Sequence, residues 1–327
     1  MKKWLCAAAA VAAVVVMSSA ALAEWQFTRK VDIVCPWGAG GGADSTIRAL
    51  TPLLEKLIGV EIEVVNITGG SGVGGLEYAY KQEADGYTYM LGTQSLIMRD
   101  LHGVTSMDFK TAFIPVAKLV HSVNIIAGSK KALEAKKCSS FADLVAYAKD
   151  NPFDVSAGML TSTGVDSVSL RQSMPGVYVN EIPFGGGYEM NTALAAGDID
   201  ITITGVDEIS DLVKTGDIVP LCAVAEKRIK IYPDMPCTEE LGIHSVMGPW
   251  RGIFAKDGTP DEAVTAMAAA VEEAVKSPEW QAFLAASAYD ERPGYAGTEE
   301  FKKLFDDEYV ALSNYLREEK ILKKEYN

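Results

Sequence analysis

Two glycine-rich stretches are the part of this sequence best suited to chemistry. The first reads PWGAGGGAD from Pro36 to Asp44 and follows the apolar run VDIV, and the second reads GGSGVGG from Gly69 to Gly75 after the run VEIEVVN. Each stretch lies between a predicted strand and a predicted helix. Consecutive glycines let backbone N–H groups approach a bound group closely, and the positive end of the following helix attracts an anion. The pattern therefore predicts an anion site built from the backbone.

The first 23 residues have the character of a secretory signal. Lys2 and Lys3 give a positive start, an apolar run extends from Leu5 to Met17, and small residues lead to A-L-A at Ala23, where we predict cleavage. The apolar run is shorter than the roughly 20 residues that a membrane span needs. We therefore predict that residues 1–23 are a signal peptide and that the mature protein is exported.

One alternative for the glycine loops is an enzyme that binds the pyrophosphate of a dinucleotide. Gly38 to Ala43 matches the loose pattern G-x-G-x-x-G/A, and Glu61 and Glu63 follow where a ribose-binding acid is expected. An exported chain argues against this interpretation, because nicotinamide cofactors belong mainly inside the cell. The sequence contains no GxxxxGK[ST] motif, its histidines lack metal-ligand spacing, and GGSGV departs from the nucleophile pattern G-x-S-x-G. We therefore predict no enzyme activity, no metal and no cofactor.

The charge balance excludes one class of partner. The chain has 30 Lys and Arg against 44 Asp and Glu, a formal net charge of −14, and loss of the signal would remove two lysines and no acid. A protein that binds nucleic acid would present a basic face, so we predict no nucleic-acid partner. An anionic ligand would have to be bound by local hydrogen-bond donors, because the net negative charge of the protein repels it.

Four cysteines follow the signal, and their spacing matches no metal-binding pattern. An oxidising compartment permits disulfides. A bridge between Cys222 and Cys237 and a set of buried free thiols are both open at this point.

Apolar periodicity indicates the elements that position the loops. Strand-like and helix-like runs alternate from VDIV to YTYMLG, and again from SSFADLVAYAKD to VPLCAVA. Such alternation is typical of α/β proteins with mostly parallel sheets flanked by helices. Two long extended runs, FIPVAKLVHSVNIIAGS and SVMGPWRGIFAK, are long enough to connect two units. We predict a two-lobed α/β fold with residues 24–122 plus 248–327 in the first lobe, residues 123–247 in the second, and two crossing segments as the hinge.

Six short blocks occur along the chain in the order PWGAGGGAD, NITGGSGVGG, ADGYT, IPFGGGYE, PDMPCTEELG and WRG. This ordered set resembles the solute-binding proteins of tripartite tricarboxylate transporters. The resemblance implies a periplasmic binding fold of the type II-like class, whose two lobes close on a small carboxylate. The FGGGYE and WRG blocks look more like the tricarboxylate-binding branch of the family than its other branches. The chain departs from the family at Gly38, where proline is usual.

The resemblance also implies which residues surround the ligand. Both loops of the first lobe would supply backbone donors, partly through ordered water, and the second lobe would add a polar turn and its own glycine loop. The implied ligand-binding residues are Trp37, Ala39, Gly40, Gly41, Asp44, Gly70, Ser71, Gly72, Thr93, Gln94, Ser162, Thr163, Phe184, Gly186, Gly187 and Arg251.

Three of these residues have two interpretations each. Arg251 can pair with a further carboxylate of the ligand through bidentate hydrogen bonds, or it can be a surface arginine on the crossing segment. Trp37 can stack over the ligand or merely cover the first lobe. Asp44 can favour the N-terminus of the following helix or contact the ligand.

The sequence therefore predicts a receptor and not a catalyst. It would bind a citrate-like di- or tricarboxylate in the cleft between the lobes, as a monomer, and deliver it to a two-component membrane permease. An exported enzyme on a two-lobed α/β scaffold and a receptor that serves a sensor protein are the alternatives.

Overall fold

The computed structural model describes residues 25–160, 164–245, 247–318, 320 and 322–324. The predicted signal peptide and its cleavage after Ala23 lie outside the described residues, as do Ser162 and Thr163. Within the described ranges, no helix combines the length and the apolar character needed to cross a bilayer.

The first lobe is built on a five-stranded sheet. Its strands are β1 (Val31–Cys35), β2 (Ile62–Asn66), β3 (Thr88–Gly92), β4 (Phe113–His121) and β10 (Trp250–Lys256), in the spatial order β2-β1-β3-β10-β4. Its helices are α1 (Gly42–Ile58), α2 (Val73–Lys81), α3 (Gln94–Leu101), α4 (Phe109–Ala112), α10 (Asp261–Ala274), α11 (Pro278–Ala286) and α12 (Thr298–Glu318). Successive strand residues point to opposite faces, so Ile33 packs in one hydrophobic cluster and Val34 in another.

The second lobe repeats this plan on a smaller scale. Its strands are β5 (Asn124–Ser129), β6 (Ser156–Met159), β7 (Asn180–Pro183), β8 (Ile201–Gly205) and β9 (Ile218–Val224), in the order β7-β6-β8-β5-β9. Its helices are α5 (Lys130–Ala135), α6 (Phe141–Asp150), α7 (Val165–Ser173), α8 (Gly187–Ala196) and α9 (Val206–Thr215). Ile125 and Ile126 on adjacent positions of β5 enter different clusters, so this sheet is also covered on both faces.

The predicted two-lobed α/β fold is confirmed, but each sheet is mixed where a mostly parallel sheet was expected. In the first sheet β1 pairs in parallel with β2 and β3, whereas β10 is antiparallel to β3 and β4. In the second sheet β6 pairs in parallel with β7 and β8, whereas β5 is antiparallel to β8 and β9. The antiparallel strands β5 and β10 are those that the chain enters as it crosses from the other lobe. A crossing strand need not follow the direction that repeated strand-helix-strand units impose.

The two crossing segments lie side by side. Ser122 and Val123 separate β4 from β5, and Ser122 N donates to Pro249 O at 2.8 Å, just before β10. The predicted lobe boundaries at 122/123 and 247/248 fall between strands of the two sheets. These boundaries, and the hinge role of the two segments, stay predictions.

The four cysteines within the described residues are buried free thiols, so the bridge between Cys222 and Cys237 is not formed. Burial raises the pKa of Cys35 to about 11 and that of Cys222 to about 12. Both thiols are therefore protonated at neutral pH and pack as small apolar side chains.

Candidate functional site

A cavity of about 120 Å³ lies between the two lobes. We call it the cleft cavity. This volume is below the several hundred Å³ typical of sites for drug-sized ligands, so it suits a small solute. Seven of the predicted site residues line it: Trp37, Ala39, Gly41, Thr93, Gly186, Gly187 and Arg251. Its other lining residues are Gly38, Gly42, Ala43, Ser95, Asn124, Leu160, Asp166, Tyr188, Met190, Ile203, Thr204, Gly205, Glu208 and Pro249.

Five helices begin at this cavity. The lining includes residues of the N-cap or first turn of α1 and α3 from the first lobe, and of α7, α8 and α9 from the second. Four of these helices have a glycine N-cap, and none of the four has a side-chain cap hydrogen bond. The first N–H groups of a helix have no partner within the helix, and its N-terminus carries a partial positive charge. The cavity is therefore a meeting point of backbone donors.

The start of α1 is one of these open donor groups. Its N-cap, Gly41, has extended backbone angles, φ −80° and ψ 169°, and Ser45 N makes the first intrahelical hydrogen bond to Gly41 O. No described residue accepts a hydrogen bond from the N–H groups of Gly42 and Ala43, and both residues line the cavity. An anion placed there would accept hydrogen bonds from these two N–H groups.

Asp44 holds the first loop and does not line the cavity, and its contact with a ligand stays a prediction. Its carboxylate accepts hydrogen bonds from Gly40 N at 3.0 Å, Arg48 Nε at 2.9 Å and Asn66 Nδ2 at 2.9 Å. Burial would raise the pKa of Asp44, but these hydrogen bonds lower it. Gly40 does not line the cavity either, and its N–H donates to Asp44, so its contact with a ligand also stays a prediction.

The second glycine loop does not line the cavity, and the ligand contacts of Gly70, Ser71 and Gly72 stay predictions. Gly72 has φ +99°, and a Cβ there would lie 2.9 Å from Leu96 Cδ2 and 3.1 Å from Trp37 Cζ2. Ser71 Oγ donates instead to Leu160 O of the second lobe at 3.4 Å. The glycines of this loop thus let the backbone pack closely under Trp37.

Gln94 and Phe184 also lie outside the cavity lining. Gln94 is buried and spans to the crossing segment, where its Nε2 donates to Gly248 O at 2.7 Å and its Oε1 accepts from Trp250 N at 3.1 Å. Phe184 packs against a hydrophobic cluster of the second lobe. Both side chains stabilise neighbouring segments, so the structure does not support a direct ligand contact for either.

Arg251 lines the cavity from β10, but its guanidinium is already paired. Its Nη2 lies 3.3 Å from Asp207 Oδ2 and 3.1 Å from Glu208 Oε1, both at the start of α9 in the other lobe. Its Nη1 donates to Tyr289 Oη, and Tyr289 in turn donates to Asp207 Oδ2 at 2.6 Å. We call Arg251, Asp207, Glu208 and Tyr289 the Arg251 cluster. It joins the two lobes and is almost fully buried, with Arg251 3% exposed and Asp207 4% exposed.

Burial shifts the pKa values of the acidic groups around the cavity. It raises the pKa of Glu208 to about 7, helped by the neighbouring charge of Asp207 and opposed by Arg251. It also raises the pKa of Asp166 to about 6, again opposed by Arg251. Burial alone would lower the pKa of Arg251, but the negative charges of Asp207 and Glu208 raise it, so the arginine stays protonated.

We expect Gly42→Ala to lower the free energy of unfolding by about 1–3 kcal/mol, the usual cost of overpacking. A Cβ at this position would press on Arg251 Nη2 and would lie 2.5 Å from Asp207 Oδ2 and 2.8 Å from Glu208 Oε1. Urea denaturation measures the change. Gly38→Ala is the control, because a Cβ at Gly38 meets no atom within 4 Å. Equal stability of the two variants would contradict the contact between α1 and the Arg251 cluster.

The sequence interpretation missed the acidic side of the cavity. Asp166, Asp207 and Glu208 occupy the first turns of α7 and α9. The signal was present, because GVDE follows the run DIDITIT at the end of a strand, where α/β proteins bind ligands. Asn124 was also overlooked, as one polar residue within a long apolar run.

Comparisons with known proteins agree with this geometry. Residues 47–321 match the family described as tripartite tricarboxylate transporter family receptor. BugT of Bordetella pertussis is 27% identical over 256 residues, which cover 76% of this chain and 77% of BugT. An R. palustris protein solved with adipate has a TM-score of 0.81 and 26% identity, covering 89% of this chain and 97% of its own. MatC from Rhodopseudomonas palustris, solved with bound malate, shares the fold at a TM-score of 0.78 and 22% identity, with 87% and 97% covered.

Proposed function

Because this chain belongs to the tripartite tricarboxylate transporter receptor family, we propose that it binds a small organic carboxylate in the cleft cavity and delivers it to a two-component membrane permease. Its family and its structural relatives are solute-binding receptors and not enzymes. In this proposal the receptor works in the periplasm as a monomer, after removal of its signal peptide.

The convergence of five helix N-termini on one cavity carries this proposal. A carboxylate at the start of α1 would accept hydrogen bonds from the N–H groups of Gly42 and Ala43, and the helix dipole would stabilise its charge. The glycine N-cap, Gly41, leaves this approach open. The chain thus binds an anion with neutral backbone groups, which explains how a strongly acidic protein can hold an acid.

The size of the cavity and the relatives both support a small acid. The R. palustris relative was solved with adipate, and MatC was solved with malate. Both ligands are dicarboxylates of four to six carbons, a size that suits a cavity of about 120 Å³. The sequence predicted a citrate-like di- or tricarboxylate, and the thermal-shift panel below includes both classes of acid.

Binding would be coupled to movement of the lobes about the two crossing segments. Hinge closure is a common way for two-lobed proteins to enclose a ligand. Here the first lobe supplies the start of α1, the second supplies α7, α8 and α9, and both contribute to the Arg251 cluster. A carboxylate held between the lobes would favour the closed arrangement that the permease recognises.

A thermal-shift panel tests the proposal. Mono-, di- and tricarboxylates, amino acids, aromatic acids and nucleotides are added to the mature protein, and the unfolding temperature is measured. At a concentration of 100 times Kd, a ligand should stabilise the protein by about 2.7 kcal/mol. We expect at least one small carboxylate to raise the unfolding temperature, and no nucleotide to do so. A shift with a nucleotide and with no organic acid would contradict the receptor function.

A further inference from the structure

The charges around the cleft cavity do not balance. Among its described lining residues Arg251 is the one base, whereas Asp166 and Glu208 are both acids. Asp207 lies next to them and forms an ion pair with Arg251. Its carboxylate also accepts hydrogen bonds from Tyr289 and Ser122. Asp207 therefore neutralises the positive charge of Arg251. A site that already contains two further carboxylates repels a ligand that is negatively charged throughout.

The Asp166 carboxylate has no counter-charge of its own. Within the described residues no hydrogen bond reaches it, and the one positive charge that acts on it is the Arg251 guanidinium, which Asp207 and Glu208 already bind. Glu208 keeps one oxygen, Oε2, whose sole described partner is Thr204 Oγ1 at 3.5 Å, the limit of a hydrogen bond. Both acids therefore have acceptor capacity that the protein does not use.

Asn124 gives independent support for a polar ligand. It lines the cavity and is 1% exposed, yet neither Oδ1 nor Nδ2 of its amide has a hydrogen-bond partner among the described residues. A buried amide without partners costs roughly 1–3 kcal/mol, so such groups are rare unless a ligand or water binds them. Its oxygen adds one more acceptor to those of Asp166 and Glu208.

We propose that the ligand carries a protonated amine as well as its carboxylate, and that Asp166, Glu208 and the Asn124 amide oxygen bind this amine. An ammonium group has three donors and no acceptor, which matches three acceptors from three different elements, α7, α9 and β5. The inference rests on the proposed function, because the carboxylate of the same ligand binds at the start of α1. The backbone donors and the acids would then bind neighbouring groups of the ligand, because Glu208 Oε1 lies beside Gly42 at the start of α1.

This proposal changes the predicted ligand class. A citrate-like tricarboxylate would bring two more negative groups toward Asp166 and Glu208, and the arginine expected to receive them is already bound to Asp207 and Glu208. An amino acid or an amino dicarboxylate satisfies the backbone donors and the acids at once. The alternative is that the two acids bind a second ligand carboxylate in their protonated forms.

The pH dependence of binding separates these two alternatives. The groups that face Glu208 are Asp207, Asp166 and Arg251, and Asp166 faces Arg251. With pKa values of about 6 and about 7, Asp166 and Glu208 lose their protons between pH 5.5 and pH 8. An ammonium group favours the ionised acids, so its affinity should rise severalfold over this interval. A second carboxylate requires the protonated acids, so its affinity should fall.

Isothermal titration with matched ligands tests the amine site. Each pair differs by one amino group: succinate and aspartate, glutarate and glutamate, butyrate and 4-aminobutyrate. At pH 7.5 we expect the amino member of at least one pair to bind at least tenfold more tightly than its partner. Asp166→Asn should remove most of this advantage. Asp211→Asn is the control for the loss of one negative charge, because the Asp211 side chain lies on α9 and is 95% exposed. This variant should retain the affinity advantage of the amino ligand.

The outcomes are distinct for the two proposals. Equal or tighter binding of the unaminated acid in every pair, with affinity that falls as pH rises, overturns the amine site and leaves the carboxylate receptor standing. An advantage of the amino member that Asp166→Asn does not reduce also overturns it. If Asp166→Asn fails to fold, the pH profile of the wild-type protein decides. Absence of binding by every acid and amino acid overturns the receptor function itself.

Discussion

Replacing Arg251 with alanine is expected to lower the free energy of unfolding by about 3–5 kcal/mol, the usual cost of removing one partner from a buried ion pair. The substitution leaves Asp207 and Glu208 facing each other in a buried site without their cation. It also removes the hydrogen bond to Tyr289, whose hydroxyl remains bonded to Asp207. Because the cluster joins the two lobes, we expect all ligands to bind more weakly, and not only those with additional carboxylates.

The loss of stability in Arg251→Ala should depend on pH. The pKa of Glu208 in the folded protein is raised from 4.5 to about 7, so its ionisation opposes folding as pH rises through that interval. The difference in free energy of unfolding between the wild-type protein and Arg251→Ala should therefore be largest near pH 8. It should be smaller near pH 5, where Glu208 and Asp166 are protonated. Urea denaturation at both pH values measures it.

Arg228→Ala is the control for this experiment, since its ion pair with Glu240 lies at the surface, with side chains 46% and 44% exposed. Exposed pairs contribute little, so this variant should behave as the wild-type protein does. An Arg251→Ala variant as stable as Arg228→Ala, at both pH values, would show that the Arg251 cluster does not hold the lobes together.

Gly41→Val should reduce ligand affinity by at least a hundredfold while leaving the fold intact. The nearest atom to a Cβ at Gly41 is Gly38 O at 3.6 Å, so the branched side chain would extend into the cleft cavity over the start of α1. The extended φ of −80° is allowed for valine, and a valine N-cap costs about 1 kcal/mol at most relative to glycine. Calorimetric titration and thermal unfolding measure the two effects separately.

Gly185→Val is the matched control for Gly41→Val. Gly185 lies in the glycine loop of the second lobe but does not line the cavity, and a Cβ there would meet Glu189 Oε2 at 3.4 Å. This variant should bind the ligand with nearly normal affinity. Normal affinity of Gly41→Val itself would remove the start of α1 from the binding site.

The fold could be predicted from the sequence because its evidence is local. Apolar periodicity located the alternating strands and helices, and the two long extended runs became β4 with β5 and the segment that leads into β10. The antiparallel direction of β5 and β10 was not predicted. Strand direction depends on which neighbours a crossing segment meets in space, and periodicity does not contain that information.

The site could be predicted best where one short segment forms it. The loop from Trp37 to Gly41 contributes three of the seven predicted residues that line the cavity, because a strand, a glycine turn and a helix place it directly. The second loop has the same composition but packs under Trp37, a tertiary contact that composition does not reveal. Likewise Arg251 was recognised as a cation, but its partners Asp207 and Glu208 come from the other lobe.

The most direct test of the carboxylate site is a crystal structure of the mature protein with the acid or amino acid that gives the largest thermal shift. We predict that one carboxylate oxygen pair lies within hydrogen-bonding distance, about 2.7–3.1 Å, of Gly42 N and Ala43 N at the start of α1. A ligand bound outside the cleft cavity, or bound within it with no carboxylate at these two N–H groups, would contradict the proposal.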